Sequence, residues 1–342
     1  MTKTPLIGLT LNELKDVVKE LRIPSFKALQ IAKWIYLRRA TDIDAMTDLS
    51  KNERERLSAK YCVGREEPLR RAVSRDGTVK YLFRGVGGRD VEAVAIPDKE
   101  RLTLCVSSQA GCKMNCAFCM TGRGGWQGDL SAAAIVNQIL SADRSEELTN
   151  IVFMGMGEPL DNLDAVMKTI DILTSDWGLA WSPKRITVST VGVNLRGIKR
   201  LLDETKVHMA FSLHNPFAEK RASLMPAEKA LSATAVLDLF RQYDFSHQRR
   251  LSIEYIMWRG VNDDMRHCTG LARLLHDLDC RVNLIRFHAF EGYDGRPSDK
   301  ETMETFRDGL NARGITATIR ASRGEDIDAA CGQLAGQKAA PL

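Results

Sequence analysis

No apolar run in the sequence approaches the ~20 residues needed to cross a bilayer, and the first residues, MTKTPLIGLTLNELKDVV, lack the long apolar core of a secretory signal. A cytoplasmic protein without membrane contact is therefore expected. Cysteine is scarce, eight among 342 residues, which excludes a disulfide-stapled scaffold. A chain of this length buries a large core without staples, and a reducing cytosol would not keep them. Metal or redox chemistry is the better use for these thiols. Fixed-period repeats and long low-complexity segments are also lacking, so solenoid and fibrous classes drop out.

Charge of one sign is in little excess, +5 overall, but it is unevenly placed. Residues 1–100 hold 20 Lys and Arg against 15 Asp and Glu, and the remainder is balanced at 29 against 29. Arg22, Lys27, Lys33, Arg38, Arg39, Arg65, Arg70, Arg71 and Arg75 could form a footprint for phosphates. Solvated helix and hairpin faces would account for them equally well. With 44% hydrophobic and 27% charged residues, the composition suits one sizeable domain with a small accessory one.

Residues 1–65 carry helical periodicity, with Leu11, Leu14, Val17, Val18 and Leu21 on one stripe and Trp34, Ile35 and Leu37 on a second. Residues 66–100 change texture: the β-rich runs TVKYLF and VEAVAI sit between the turn signals RDG and GVGGRD, as in a hairpin-rich connector. From 101 to 321 short apolar runs alternate with helical segments: LTLCVSS, NIVFMGMG, ITVSTV, HMAFSLH, LSIEYIM, VNLIRFH and ITATIR. That alternation predicts βαβ units, and six or seven of them make an α/β fold with a partial (β/α)6-type barrel. Residues 322–342 form a last segment whose tail, AGQKAAPL, is expected to be loose. In such a barrel the chemistry sits at the carboxyl ends of the strands.

The segment GCKMNCAFCMTG places Cys112, Cys116 and Cys119 in a C-x3-C-x2-C loop behind the first barrel run. Three thiolates on one short loop can bind three irons of a 4Fe-4S cubane and leave the fourth iron open. S-adenosylmethionine suits that iron, since its amino and carboxylate groups chelate, and Phe118 would shield one side of the cluster. Zinc is the competing ligand, although it normally wants four Cys or His in tight pairs and no second pair completes the set. After the second run, FMGMGEPLDN offers Gly157 for close backbone approach and Glu158 for an ammonium group. Alone this would be an ordinary strand-to-helix turn. Ser189, then Ser212, Leu213 and His214, then His288, follow later strands and are candidates to hold a ribose or carboxylate.

Together GCKMNCAFCMTG, GMGEP, FSLH, VNLIRFH and EDIDAACGQLAG resemble the RlmN/Cfr family of radical S-adenosylmethionine rRNA (adenine) methyltransferases. The resemblance runs from the N-terminal helices to Leu334. It implies a radical S-adenosylmethionine barrel over 101–321, an RNA-binding accessory domain over 1–65 and a catalytic-cysteine loop in 322–342. It also implies that Cys331 takes a methyl group from one S-adenosylmethionine, that a second molecule is cleaved reductively at the cluster, and that the methylene radical left on Cys331 adds to adenine. Two cofactor molecules are thus used per turnover. By position Glu92 matches the family's proton acceptor, and Cys105 the cysteine that releases the product by forming a disulfide with Cys331. On sequence physics alone, Cys331 would be a small buried residue, Cys105 a core residue and Glu92 a surface strand residue. Cys62, Cys268 and Cys280 match no functional position.

Two branches differ in target. STVG, FSLHNPF and LIRF lean toward the Cfr-type enzymes of adenine carbon 8, whereas SRGEDIDAACGQLAG and the N-terminal module lean toward the RlmN-type enzymes of carbon 2. Carbon 2 is the expectation, the carbon-8 branch being the rarer. His288 departs from the asparagine usual in RlmN-type chains. The substrate implied is 23S rRNA in the peptidyl-transferase region, with the adenine beside some tRNA anticodons as a second target, read by shape and by extrusion of the base. A monomer served by an electron donor such as flavodoxin completes the expectation. The rival of another class is a non-catalytic, metal-stabilised RNA-binding module; a radical enzyme acting on a protein or small molecule would have no need of Cys331.

Overall fold

The computed structural model describes residues 3–290, 293 and 295–336. The chain opens with three helices, α1 (Leu11–Glu20), α2 (Lys27–Tyr36) and α3 (Lys51–Lys60), bracketed by a two-stranded parallel pair, β1 (Thr4–Pro5) and β2 (Tyr61–Cys62). Helices α1 and α3 begin at capping boxes, Thr10 with Glu13 and Ser50 with Glu53, each satisfying two orphan backbone donors. Leu14, Val17, Val18, Ile31, Ile35, Tyr36 and Leu57 bury a core that Val136, Leu140 and Ile172 of the barrel helices share, each large side chain contributing roughly 1.5–3 kcal/mol. Leu37, expected on the second apolar stripe, instead stays 46% exposed just past the end of α2.

A ten-stranded sheet makes up the body of the molecule. Its strands are β3 (Arg70–Val73), β4 (Val79–Val86), β5 (Arg89–Asp98), β6 (Arg101–Cys105), β9 (Asn150–Phe153), β10 (Ile186–Thr190), β11 (His208–Ser212), β12 (Leu251–Met257), β13 (Arg281–Arg286) and β14 (Ala317–Arg320). The seven from β6 and β9 to β14 run parallel in chain order and coincide with the seven apolar runs. Helices α5 (Ala132–Ser141), α6 (Leu163–Thr174), α7 (Leu195–Glu204), α8 (Ala218–Leu224), α9 (Ala233–Phe240), α10 (Met265–Leu275) and α11 (Lys300–Asn311) connect them. In α7, Ile198, Leu201 and Leu202 form the buried stripe that seats the helix. Among the described strands β14 and β3 are the two edges, so the barrel stays open.

The hairpin segment differs from its expected role as a connector. Strands β3, β4 and β5 continue the barrel sheet itself, β5 pairing antiparallel with β6 from Val94–Cys105 to Asp98–Arg101. Several basic residues of the suspected footprint also have internal work. Arg39 donates to the backbone and hydroxyl of Ser145, and Arg65 to Ser141 and to the carbonyl of Arg39, tying the helical module to α5. Arg71 pairs with Glu67 and Asp143, and Arg38 with Asp48. Lys27 is half-buried and donates to the Asp48 carbonyl, and Arg22, Lys33, Arg70 and Arg75 are exposed. No described helix is long and apolar enough to cross a membrane.

Candidate active site

The three-cysteine loop does not follow β6 directly. A short strand, β7 (Gln109–Gly111), intervenes and pairs with β8 (Trp126–Asp129), so the loop with its one-turn helix α4 (Met120–Arg123) is the tip of a hairpin. Gly111 at φ +79° allows this, because a Cβ there would meet the Gly125 carbonyl oxygen at 1.8 Å. Backbone bonds from Cys112 to Gly125, from Ala117 to Leu224 and from Cys119 to Cys116 fix the tip.

One cavity takes in the carboxyl ends of the parallel strands and the segment that follows β14. Cys112, Cys116, Cys119, Gly157, Glu158, Ser189, Ser212, His214, His288, Cys105 and Cys331 all line it. Its empty volume, with the open solvent at the mouth included, is ≈ 1430 Å³. Eleven of the thirteen residues singled out in the sequence thus meet at one place. Leu213 does not: its side chain is fully buried in the core, its amide bonds the Glu254 carbonyl and its own carbonyl accepts from Arg221. Glu92 is the other, and it is buried rather than a surface strand residue. One oxygen of its carboxylate accepts from the amides of Ala335 (2.9 Å) and Gly336 (3.0 Å), and the other lies 3.1 Å from Lys80 Nζ.

The donor set fits a 4Fe-4S cluster. Burial, with the neighbouring thiols adding to it, raises the Cys112 and Cys116 thiols, Cys112 to about 12, and bound iron would reverse that by stabilising the thiolates. Among the described residues no three His, Cys, Asp or Glu groups converge to hold a single metal ion. A cubane asks something else, one thiolate for each of three irons bordering a common space.

The wall expected to take the cofactor is built around Glu158. Gly157 at φ +98° lies where a Cβ would be 2.6 Å from Gln109, so the turn packs tightly. The Glu158 oxygens accept from the amides of Leu160 (3.0 Å) and Val191 (2.9 Å), joining the ends of β9 and β10. Burial pushes its carboxyl up to about 7 despite these bonds, so a cationic ligand beside it would draw the proton off. His214 accepts from the Ile256 amide through Nδ1 at 3.1 Å and sits edge-on to Phe118 at 4.8 Å. Burial and the nearby Arg221 push it down to about 3, which keeps the ring neutral with its proton on Nε2. His288, also lowered by burial, has Nε2 3.2 Å from Ser322 Oγ.

Cys105 and Cys331 are free thiols bordering the same space. Burial lifts Cys105 to about 12 and the Cys331 sulfur adds to it, while the Arg320 guanidinium opposes the rise. Arg320, Glu254 and Arg221 are site residues that the motifs did not reveal. Arg320 and Glu254 line the cavity, and the signal was available, a charged side chain inside each of the apolar runs ITATIR and LSIEYIM. Arg221 offered no such signal. Fully buried, it pairs with Glu228 and donates to the carbonyls of Val191, Ser212 and Leu213, bracing the ends of β10 and β11.

Comparison with known proteins agrees with this geometry. Residues 4–63 match the family described as ribosomal RNA large subunit methyltransferase N-terminal domain, and residues 106–269 match the radical SAM superfamily. A Bacteroides fragilis protein named "Probable dual-specificity RNA methyltransferase RlmN" is 54% identical over 99% of this chain and 98% of its own. The dual-specificity RNA methyltransferase RlmN of Campylobacter fetus is 41% identical over 96% of this chain and 97% of its own. Among solved structures, a radical SAM methyltransferase from Sphaerobacter thermophilus superposes with a TM-score of 0.91 at 40% identity, over 97% of this chain and 99% of that one. This chain belongs to the RlmN family of dual-specificity RNA methyltransferases.

Proposed function

We propose that this protein methylates carbon 2 of an adenine in the peptidyl-transferase region of 23S rRNA, and of the adenine beside the anticodon in certain tRNAs. It works in the cytoplasm as a monomer supplied with electrons by a small carrier such as flavodoxin. The names of its relatives favour the RlmN reading over the Cfr one. The observation that carries the activity is that Cys331 and Cys105 border one cavity with Cys112, Cys116 and Cys119, because an enzyme that passes a methyl group through its own sulfur has use for both thiols beside the cluster.

Cys112, Cys116 and Cys119 would hold the 4Fe-4S cluster, which when bound supplies the electron for reductive cleavage of S-adenosylmethionine. Gly157, Glu158, Ser189, Ser212, His214 and His288 orient that cofactor, Glu158 taking its ammonium and His214 offering a neutral N–H. Cys331 carries the methyl group, having received it by displacement at the sulfonium. Glu92 accepts the ring proton of adenine. Cys105, as the thiolate, then attacks the Cys331 sulfur, and a disulfide forms as the sulfur–carbon bond to the base breaks. The carbon keeps the electron pair and takes up a proton to become the new methyl group, and the one electron left over from the radical addition returns to the electron carrier. Residues 1–65 contribute an RNA-binding surface, residues 66–100 the strands that carry Glu92, residues 101–321 the barrel, and residues 322–342 the cysteine loop.

Mass spectrometry of adenosines from unmodified ribosomal RNA, after anaerobic incubation with reconstituted protein, reductant and S-adenosylmethionine, tests this reading. The product expected is 2-methyladenosine. A yield of 8-methyladenosine instead would move the protein to the Cfr branch, and no methylated adenosine from rRNA or tRNA would end the RNA reading.

A further inference from the structure

Lys80 lies in the β-rich run TVKYLF, which carries no functional motif, yet it joins two parts of the site. Across the β4–β5 ladder Lys80 is opposite Val94 and Leu82 opposite Glu92, which makes Lys80 and Glu92 diagonal neighbours on one face of the sheet. Lys80 Nζ lies 3.1 Å from Glu92 Oε1 and donates to the Asp328 carbonyl at 3.1 Å. Only 17% of the Lys80 side chain and 8% of the Glu92 side chain are exposed, so water screens the pair weakly.

Asp328 stands three residues before Cys331, in the left-handed conformation at φ +52°. A side-chain-bearing residue keeps that conformation only where its surroundings hold it. On the far side of Cys331, the amides of Ala335 and Gly336 close on the second oxygen of Glu92. An ammonium thus grips the chain before the cysteine and a carboxylate grips it after, and the two grips are paired with each other.

We propose that Lys80 is a positioning residue: it aims Glu92 and, through the Asp328 carbonyl, sets the bend from which Cys331 is presented, so that proton acceptor and methyl-bearing sulfur keep a fixed spacing. The part that concerns catalysis rests on the reading of Glu92 as proton acceptor; the anchoring of the loop rests on the hydrogen bonds alone.

The test compares cluster-loaded wild type with Lys80→Met, Lys80→Gln and Lys80→Arg. One readout is the rate at which iodoacetamide alkylates Cys331, followed by peptide mass spectrometry. The other is the pair kcat and KM for S-adenosylmethionine in adenine methylation. Lys80→Met is expected to speed alkylation of Cys331 about tenfold, as loss of one charge-assisted hydrogen bond implies, and to lower kcat about 10²-fold, the scale of a 1 Å misplacement. Iron content and KM for the cofactor stay at wild-type values, and Lys80→Arg recovers most of both losses. Lys80→Gln, which keeps a donor for the Asp328 carbonyl but no charge for Glu92, lowers kcat while Cys331 stays protected; it carries the test if Lys80→Met does not fold. Wild-type alkylation and kcat in Lys80→Met overturn the proposal. Faster alkylation with unchanged kcat, joined to full turnover in Glu92→Gln, overturns the role of Glu92 and leaves the anchoring in place.

Discussion

Two cysteine-bearing loops border the same cavity, and they are held in opposite ways. The loop of Cys112, Cys116 and Cys119 is pinned through its backbone, by the β7–β8 hairpin below it and by bonds from Cys112 and Ala117 to neighbouring carbonyls. The Cys331 segment is tied to α4 by a backbone bond from Met120 to Gly332 and by the Thr121 hydroxyl on the Leu334 carbonyl, and otherwise by separate polar groups lent from the antiparallel strands and their turn. Asp326 accepts from Ser74 and from the Arg75 amide, the Gly324 amide donates to Asp76, Lys80 donates to Asp328 and Glu92 accepts from Ala335 and Gly336. Backbone hairpins resist opening because many bonds must break together, whereas separate side-chain contacts can be released locally. A loop that is to hold a cluster is served by the first kind of attachment. One that, under the proposed function, brings a methylated sulfur to a base and then meets Cys105 is served by the second.

The largest effects should separate the chemistry of the two loops. Cys331→Ala is expected to abolish methyl transfer while iron analysis still finds about four irons per chain. Cys116→Ala should lose both. Turnover retained in Cys331→Ala would remove the distinction altogether. Next in size, Cys105→Ala should stall after addition to the base, leaving a covalent protein–RNA adduct through Cys331 that survives a denaturing gel. Recovery of free RNA alone would mean that the release step is misassigned.

The same contrast explains what was legible in the sequence. Seven apolar runs foretold seven parallel strands because inward packing imposes a pattern on each strand by itself. The three-cysteine loop was legible for the same reason, its ligands being close in sequence. That β3, β4 and β5 extend the barrel sheet was not, since pairing Val94 with Cys105 is a choice of partner that neither strand's pattern records. Glu92 read as a surface residue because its strand looked half-exposed; the Cys331 segment covers it, and that contact joins residues more than 240 positions apart. Leu213 stands between Ser212 and His214 just past the end of β11, and the alternation that turns those two toward the cavity sends its side chain to the core.

The wall around Glu158 and His214 has a pH signature of its own. His214 is held neutral, with its folded value at about 3 against 6.5 in the unfolded chain. The unfolded state therefore binds the extra proton first, and stability falls as pH drops below 6.5 toward 3. Between pH 6.5 and 5 this one residue should cost about 2 kcal/mol. His214→Gln, which keeps an acceptor for the Ile256 amide, should lose less stability over that interval in urea denaturation. Equal losses in the two proteins would mean that other groups dominate the acid limb.

The smallest effect probes how loosely the Cys331 segment is tied. Ser74 is buried and donates to Asp326, and its hydroxyl also accepts from the Asp76 amide within its own turn. Ser74→Ala removes one donor to the Asp326 carboxylate, and with it the energy of one contact that ties the segment down. If the segment opens as a local unit, that energy falls on the opening equilibrium rather than on global unfolding, and alkylation of Cys331 should quicken about fivefold with an unchanged urea midpoint. A lowered midpoint with unaltered alkylation would show instead that the segment opens only when the whole sheet does. The two loops would then be held alike, and their different attachments would have no bearing on how the sulfur reaches the base.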